Sequence, residues 1–174
     1  MANRAEVVQV DTVDVDPAVK PIAEKYFLQK DLNPKIHFIP QSARGFLKEA
    51  ITQDSFYDSV LVDAYIGTSM PEELLTYEFF SDLTKVSSYI MLNMIMDTAL
   101  TSELSQHTFA TLRAARGDIR YKNVSLSPGP QSNFLIASRP FSGAVHYTEK
   151  NTTAIYTDNK QSVEIDKAAM LYGR

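Results

Sequence analysis

The 174-residue chain has no cysteine, no tryptophan and only six glycines. Without cysteine there is no disulfide, no thiolate nucleophile and no cysteine-ligated zinc. The glycines stand at positions 45, 67, 117, 129, 143 and 173, so no G-x-G pair occurs. That excludes both the dinucleotide fingerprint and the phosphate-cradling loop. A surplus of positive charge is lacking too: 17 Lys and Arg against 21 Asp and Glu leave a formal charge of −4. With no basic cluster to neutralise phosphates, no nucleic-acid partner is expected. No apolar run approaches the roughly 18 residues that a membrane span requires. The start, Met1-Ala2-Asn3-Arg4-Ala5-Glu6, shows no apolar leader segment, so no membrane partner and a cytoplasmic location are expected. The histidines, His37, His107 and His146, have no i, i+4 partner and no H-E-x-x-H context. No metal site is therefore expected, and each reads as a packed or solvent-facing side chain. A G-x-S-x-G elbow is missing as well.

What is present is an ordinary globular composition, 44% hydrophobic and 22% charged, with length enough for one domain and a real core. Strand and helix patterns alternate from the start, the mark of an α/β domain with a mostly parallel sheet. Residues 6–15 are β-branched with period 2. Asp16-Pro17 then opens a helix in which Val19, Ile22, Ala23, Tyr26 and Phe27 fall on one apolar face. A short strand at 35–39 precedes a helix capped by Ser42, with Phe46, Leu47, Ala50 and Ile51 on one side. The run 57–62 predicts a buried strand, and Ser69-Met70-Pro71-Glu72-Glu73 predicts a helix start, buried through Leu74, Leu75, Phe79 and Leu83. Residues 88–95 form the most apolar strand. The stripe Leu100, Leu104, Thr108, Thr111, Leu112 and Ala115 predicts the next helix, stopped at Gly117. Strands at 118–124 and 133–138, with Ser127-Pro128-Gly129-Pro130 between them, predict a closing antiparallel hairpin. Residues 1–140 are expected to form the domain, and 141–174 a tail crossing the surface, extended at most over 162–165. In that tail Tyr147, Tyr156 and Tyr172 offer aromatic faces.

In parallel α/β sheets, ligands bind in the crevice beyond the C-terminal strand ends. Polar residues collect there: Asp14 and Asp16 after the first strand, Gln41 and Ser42 after the second, Asp63 and Tyr65 after the third, Asn93 and Asp97 at the fourth. A carboxylate so placed can accept both hydroxyls of a ribose, and one on a neighbouring strand can hold an amine. Asp16 is accounted for by helix capping alone. Asp63, ending Val60-Leu61-Val62, is the strongest functional candidate, and Asn93 has a structural alternative in satisfying a neighbouring backbone group.

Four segments in the same order and spacing resemble the spermidine synthase family of aminopropyltransferases: Val13-Asp14-Val15-Asp16-Pro17-Ala18-Val19, Ser42-Ala43-Arg44-Gly45-Phe46-Leu47, Tyr57-Asp58-Ser59-Val60-Leu61-Val62-Asp63-Ala64-Tyr65 and Leu74-Leu75-Thr76-Tyr77-Glu78-Phe79-Phe80. Thr157-Asp158-Asn159 with Val163-Glu164 resembles a late motif of the divergent bacterial branch. The resemblance implies a Rossmann-like, class I methyltransferase-type fold. It implies Asp14 as the ribose anchor of decarboxylated S-adenosylmethionine, with Ser42 and Ala43 at the nucleoside, and Asp63 as the base that orients the attacking amine, with Tyr65 beside it. No cofactor is expected to be tightly bound. The partners implied are a nucleoside co-substrate and a polyamine such as putrescine, in a homo-oligomer. Two departures stand out: the family's adenine-contacting Asp is Ser42 here, and the second Asp of its D-x-x-D segment is Ile66. The family's first strand and Gly-rich loop have no counterpart, so unpaired backbone is expected where that strand would lie. An inactive binding module, or a small-molecule methyltransferase using S-adenosylmethionine, are the alternatives.

Overall fold

The computed structural model describes residues 5–67, 69–126, 129–148, 154–159 and 163–172. Two compact units divide the chain, Met1–Glu49 and Ala50–Arg174.

The first unit holds β1 (Val10–Asp14), α1 (Val19–Ile22) and β2 (Ile36–Pro40), and α2 (Ala43–Thr52) runs across its end. β1 and β2 pair in parallel from Val10 opposite Ile36 to Asp14 opposite Pro40, as a helical crossover requires. Asp16 caps locally: its carboxylate accepts the Ala18 N–H at 2.8 Å. The expected apolar stripe that follows is not a core face. α1 lasts four residues, continues as π-helical turns over Ala23–Leu28, and stops at Gln29 with φ 53°. Val19, Ile22, Tyr26 and Phe27 are exposed, Phe27 to 81%. A two-stranded ladder has too narrow a face to cover such a stripe.

The second unit carries β3 (Val60–Val62), α3 (Tyr77–Val86), β4 (Ile90–Asp97), α4 (Glu103–Arg116), β5 (Arg120–Asn123), β6 (Gln131–Ala137), β7 (Val145–His146) and α5 (Val163–Tyr172). Its sheet runs β3-β4-β6-β5-β7, with β3 parallel to β4 and the other pairs antiparallel. The closing hairpin is therefore present as β5 and β6, although Ser127 and Pro128 of its turn lie outside the described residues. β1 and β3 each have one ladder neighbour among the described residues.

Period 2 on β4 sends Ile90, Leu92, Met94 and Met96 into the core. Those residues meet the stripes of α3 and α4, and an apolar cavity lined by Phe80, Leu83, Ile90, Leu92, Leu112 and Ile136 lies at the junction. Each fully buried side chain of this size contributes about 1.5–3 kcal/mol. The helix expected from Ser69 begins later: Glu72–Leu74 is a single 3₁₀ turn, and α3 starts where the Thr76 hydroxyl accepts the Phe79 N–H.

Residues beyond 140 depart most from expectation. Tyr147 is buried and stacks on Phe109 at 4.1 Å between ring centroids. Tyr156 is buried, donates to Asp166 Oδ2 at 2.5 Å, and gives its N–H to Thr111 Oγ1. Asp166, itself buried, also meets His107 Nδ1 at 2.8 Å. Lys167 Nζ donates to the Met70 carbonyl at 2.7 Å. Ser162 lies outside the described residues, and 163–165 are helical rather than extended. The described parts of this segment are held by buried Tyr147, Tyr156 and Val163 together with polar bonds at Asp166 and Lys167, scattered positions that a search for apolar periodicity passes over. No described helix is long and apolar enough to cross a membrane.

Candidate functional site

Two groups of strand-end residues form, one in each unit. In the first, Gln41 donates its N–H to the Asp14 carbonyl at 2.9 Å, which holds the ends of β1 and β2 together. The Asp14 carboxylate turns back and accepts the Asp16 N–H at 2.8 Å. Ser42 accepts the Gly45 N–H at 3.1 Å and so caps α2, whose first residue is Ala43. A Cβ at Gly45 would sit 3.0 Å from Ser42 Oγ and 3.1 Å from Gln41 Nε2, so a larger residue there would have to displace those two side-chain ends by a few tenths of an ångström. Asp14, Ser42 and Ala43 thus share one end of the β1–β2 ladder.

In the second unit the construction follows from unequal strand lengths. β3 pairs with β4 over three residues, ending with Val62 opposite Leu92, while β4 runs on to Asp97. Past that point β4 offers backbone groups to a side where no strand continues. Tyr65 fills the need: its hydroxyl accepts the Ile95 N–H at 2.9 Å and donates to the Asn93 carbonyl at 2.8 Å. Burial pushes the Tyr65 hydroxyl up to about 12, the negative charge of Asp63 adds to the rise, and the bond from Ile95 opposes it. The hydroxyl therefore stays protonated at any physiological pH and makes both bonds at once. Beyond it, Gly67 takes φ +64°, which lets Ile66 and Ser69 exchange backbone bonds.

Asp63 is exposed, and one oxygen, Oδ1, accepts from Asn93 Nδ2 at 2.9 Å. Its other oxygen has no partner among the described residues. Asn93 lies on the half-buried face of β4, opposite Leu92 and Met94. Among the described residues its Oδ1 is buried with no hydrogen-bond partner, a state that costs about 1–3 kcal/mol when no other group reaches it. The sequence reading placed Asn93 among the strand-end polar residues but gave it no site role. The available signal was a single amide inside an otherwise apolar alternation.

Asp97 belongs to a different device. Desolvation would raise its carboxyl, but hydrogen bonds from Ser102 and Ser105, with the Thr101 and Ser102 N–H groups, outweigh it and hold it below the usual 3.8. This network caps α4. The histidines are accounted for by partners: His107 with Asp166, His146 with Asp118, His37 with Asp11 at 3.5 Å. Among the described residues no group of three His, Asp or Glu is placed to hold a metal ion.

No protein-family model matches the chain. Over 110 residues it is 36% identical to a polyamine aminopropyltransferase of Vibrio vulnificus (strain CMCP6), covering 63% of this chain and 36% of the relative. The chain thus spans about a third of that relative's length. Its fold is similar to a probable spermidine synthase from Corynebacterium glutamicum ATCC 13032, with TM-score 0.57 and 15% identity, over 82% of this chain and 50% of the other. It is also similar to human methyltransferase-like protein 13, solved in complex with SAH, with TM-score 0.59 and 13% identity, over 94% of this chain and 69% of that one. The chain is spermidine-synthase-like and has a class I methyltransferase-type α/β fold.

Proposed function

We propose that the chain serves aminopropyl transfer from decarboxylated S-adenosylmethionine to a polyamine such as putrescine, with Asp63 as the residue that holds and deprotonates the amine. The observation that carries this reading is the exposed Asp63 carboxylate at the end of β3, oriented on one oxygen by Asn93 and open on the other. The similarity to a polyamine aminopropyltransferase supports it.

The chemistry asks little of the protein beyond placement and a base. An ammonium group gives one proton to the Asp63 carboxylate and becomes an amine with a lone pair. That nitrogen attacks the methylene beside the sulfonium; the C–N bond forms, the C–S bond breaks, and its electron pair neutralises sulfur as a thioether. Orientation accounts for most of the rate, and a positioned base contributes about 10²–10⁴-fold. Asp14 would hold the ribose hydroxyls, Ser42 and Ala43 would lie at the nucleoside, and Tyr65 would wall the amine side. In this reading the enzyme is cytoplasmic and homo-oligomeric and binds no cofactor tightly.

A second reading, a binding module without catalysis, is favoured by Ser42 and Ile66, which replace two acids that the aminopropyltransferase resemblance leads one to expect, and methyl transfer from S-adenosylmethionine is the alternative among catalysts. The fold by itself does not choose the donor. Calorimetric titration with methylthioadenosine and with S-adenosylhomocysteine separates these readings. Binding of the first alone supports aminopropyl transfer, and binding of the second alone supports methyl transfer. Heat from neither, on a chain that melts cooperatively, makes it a module without catalysis. Where aminopropyl transfer is measured, Asp63→Asn should lower its rate at least a hundredfold, and an unchanged rate removes Asp63 from the role of base.

A further inference from the structure

The end of the second unit's sheet opposite Asp63 and Asp97 carries charge of the other sign. There the turn that leads from α3 into β4, residues 87–89, receives two arginines on one serine. Arg116, in the last turn of α4, donates from Nη2 to the Ser88 carbonyl at 2.6 Å. Arg139, just beyond β6, donates from Nη2 to Ser88 Oγ at 2.6 Å, and its guanidinium lies 5.8 Å from the centre of the Tyr89 ring. Ser138 borders the same place, with its Oγ 3.5 Å from the Ser88 carbonyl oxygen.

Neither guanidinium meets a carboxylate among the described residues. Other cations of this unit are matched: Lys85 with Asp82 at 2.6 Å, Arg120 with Asp118 at 3.5 Å. The helix dipole accounts for one arginine at the end of α4, but not for a second that reaches the same serine from β6. Each guanidinium spends one N–H on Ser88, and the rest of each fork has no acceptor among the described residues. The Ser88 hydroxyl accepts from Arg139 and keeps its own hydrogen to donate. Arg116 and Ser138 are also the polar residues lining the cavity under α3 and α4, whose other side chains are apolar and bring no negative charge.

Two cationic forks and a hydroxyl are all donors, and their match is an oxyanion with several free oxygens and more than one charge. A phosphate monoester, with a charge of about −1.5 to −2 and three strong acceptor oxygens, meets both conditions. A carboxylate leaves one guanidinium uncompensated, and a cation is repelled. We propose that Arg116, Arg139 and the Ser88 hydroxyl form a phosphate-binding site, remote from the strand-end carboxylates and sharing no residue with them. Its ligand is inorganic phosphate or the phosphate of a small ester. Bound there, phosphate joins the end of α4, the end of β6 and the turn before β4, so it stabilises the second unit by mass action.

The test is calorimetric titration of the full chain with inorganic phosphate and with glycerol 3-phosphate, and melting in each, against sodium chloride at matched ionic strength. The unaltered chain should bind and melt higher in phosphate than in chloride. Arg139→Ala, at an exposed side chain, should weaken phosphate binding at least tenfold and abolish the gain in melting temperature, while its melting in chloride stays close to that of the unaltered chain. Arg116→Gln is the second variant, with the same expected loss, should the first fail to melt cooperatively. Tighter binding of the ester marks an esterified ligand, and tighter binding of inorganic phosphate marks the free ion; either supports the site. A chain that melts equally in phosphate and chloride, or an arginine variant that binds phosphate as tightly as the unaltered chain, overturns it.

Discussion

The two units use the same local grammar, a parallel strand pair with helical connections, and reach different ends. Among the described residues of the first unit, Leu47 alone is a buried large hydrophobic side chain, while Val8, Val15, Tyr26 and Phe27 stand exposed. The second unit buries Phe79, Phe80, Leu83, Phe109, Phe134 and Ile136 to within a few per cent of complete. The difference is one of layers. Five strands give α3 and α4 a face wide enough to cover, and two strands do not. A period of 3.6 thus announces that a face is apolar, without supplying the surface that would bury it. The candidate site shows the same contrast: Asp14 and Ser42 are held by short local bonds, whereas Asp63, Tyr65 and Asn93 are held across thirty residues of sequence separation or nearly so.

Aromatic truncation breaks this contrast most sharply. Phe109→Ala, in the second unit, should lower stability by about 3–5 kcal/mol. Phe27→Ala in the first should change it by less than about 0.5 kcal/mol. Urea unfolding of the two variants measures both, and equal effects would mean that the exposed aromatic face of the first unit is covered in solution.

Asp97→Ala comes next, at about 1.5–3 kcal/mol for a carboxylate stripped from several donors. Because Asp97 is held below 3.8 in the fold, its contribution is present above that value and is lost as pH falls below it. The variant should therefore show a flatter acid limb in melting temperature against pH, and an unchanged limb would discount the cap.

Tyr65→Phe is smaller, about 1 kcal/mol, since the freed Asn93 carbonyl and Ile95 N–H are only part-buried. Its signature is alkaline. An unfolded tyrosine ionises near 10.0, the folded one near 12, so stability falls as pH rises between them. Removing the hydroxyl should shallow that decline and leave the part owed to Tyr156, whose hydroxyl is also raised, by burial first and by Asp166 second.

Much of this was legible beforehand. Six strands, the helix capped by Ser42 and the helix carried by the stripe from Leu100 to Ala115 follow from alternation, β-branched runs and apolar periodicity, whereas the Ser102 cap of that second helix is seen only in the structure. The expected positions of Asp63 and Tyr65 at a strand end are where they stand. Three features were not legible, each for a stated cause. Thr76 starts α3 because its hydroxyl finds both Phe79 N–H and Asp158, and the second of these lies 82 residues away. Tyr156 and α5 are tied through Asp166, His107, Thr111 and Lys167, polar residues that composition assigns to the surface. Asn93 looked like a residue satisfying a neighbour's backbone, and its side chain instead turns to Asp63.

What the sequence determined by itself is local: where the chain extends, where it coils, which side chain closes each turn, and which carboxylates stand at strand ends. Those outcomes depend on bonds spanning a few residues, and the residue types encode them directly. The tertiary structure alone decided which apolar faces became core, that β3 stops short of β4, and that Asn93 meets Asp63. These depend on strand count and on partners far apart along the chain, and neither is a property of any short segment.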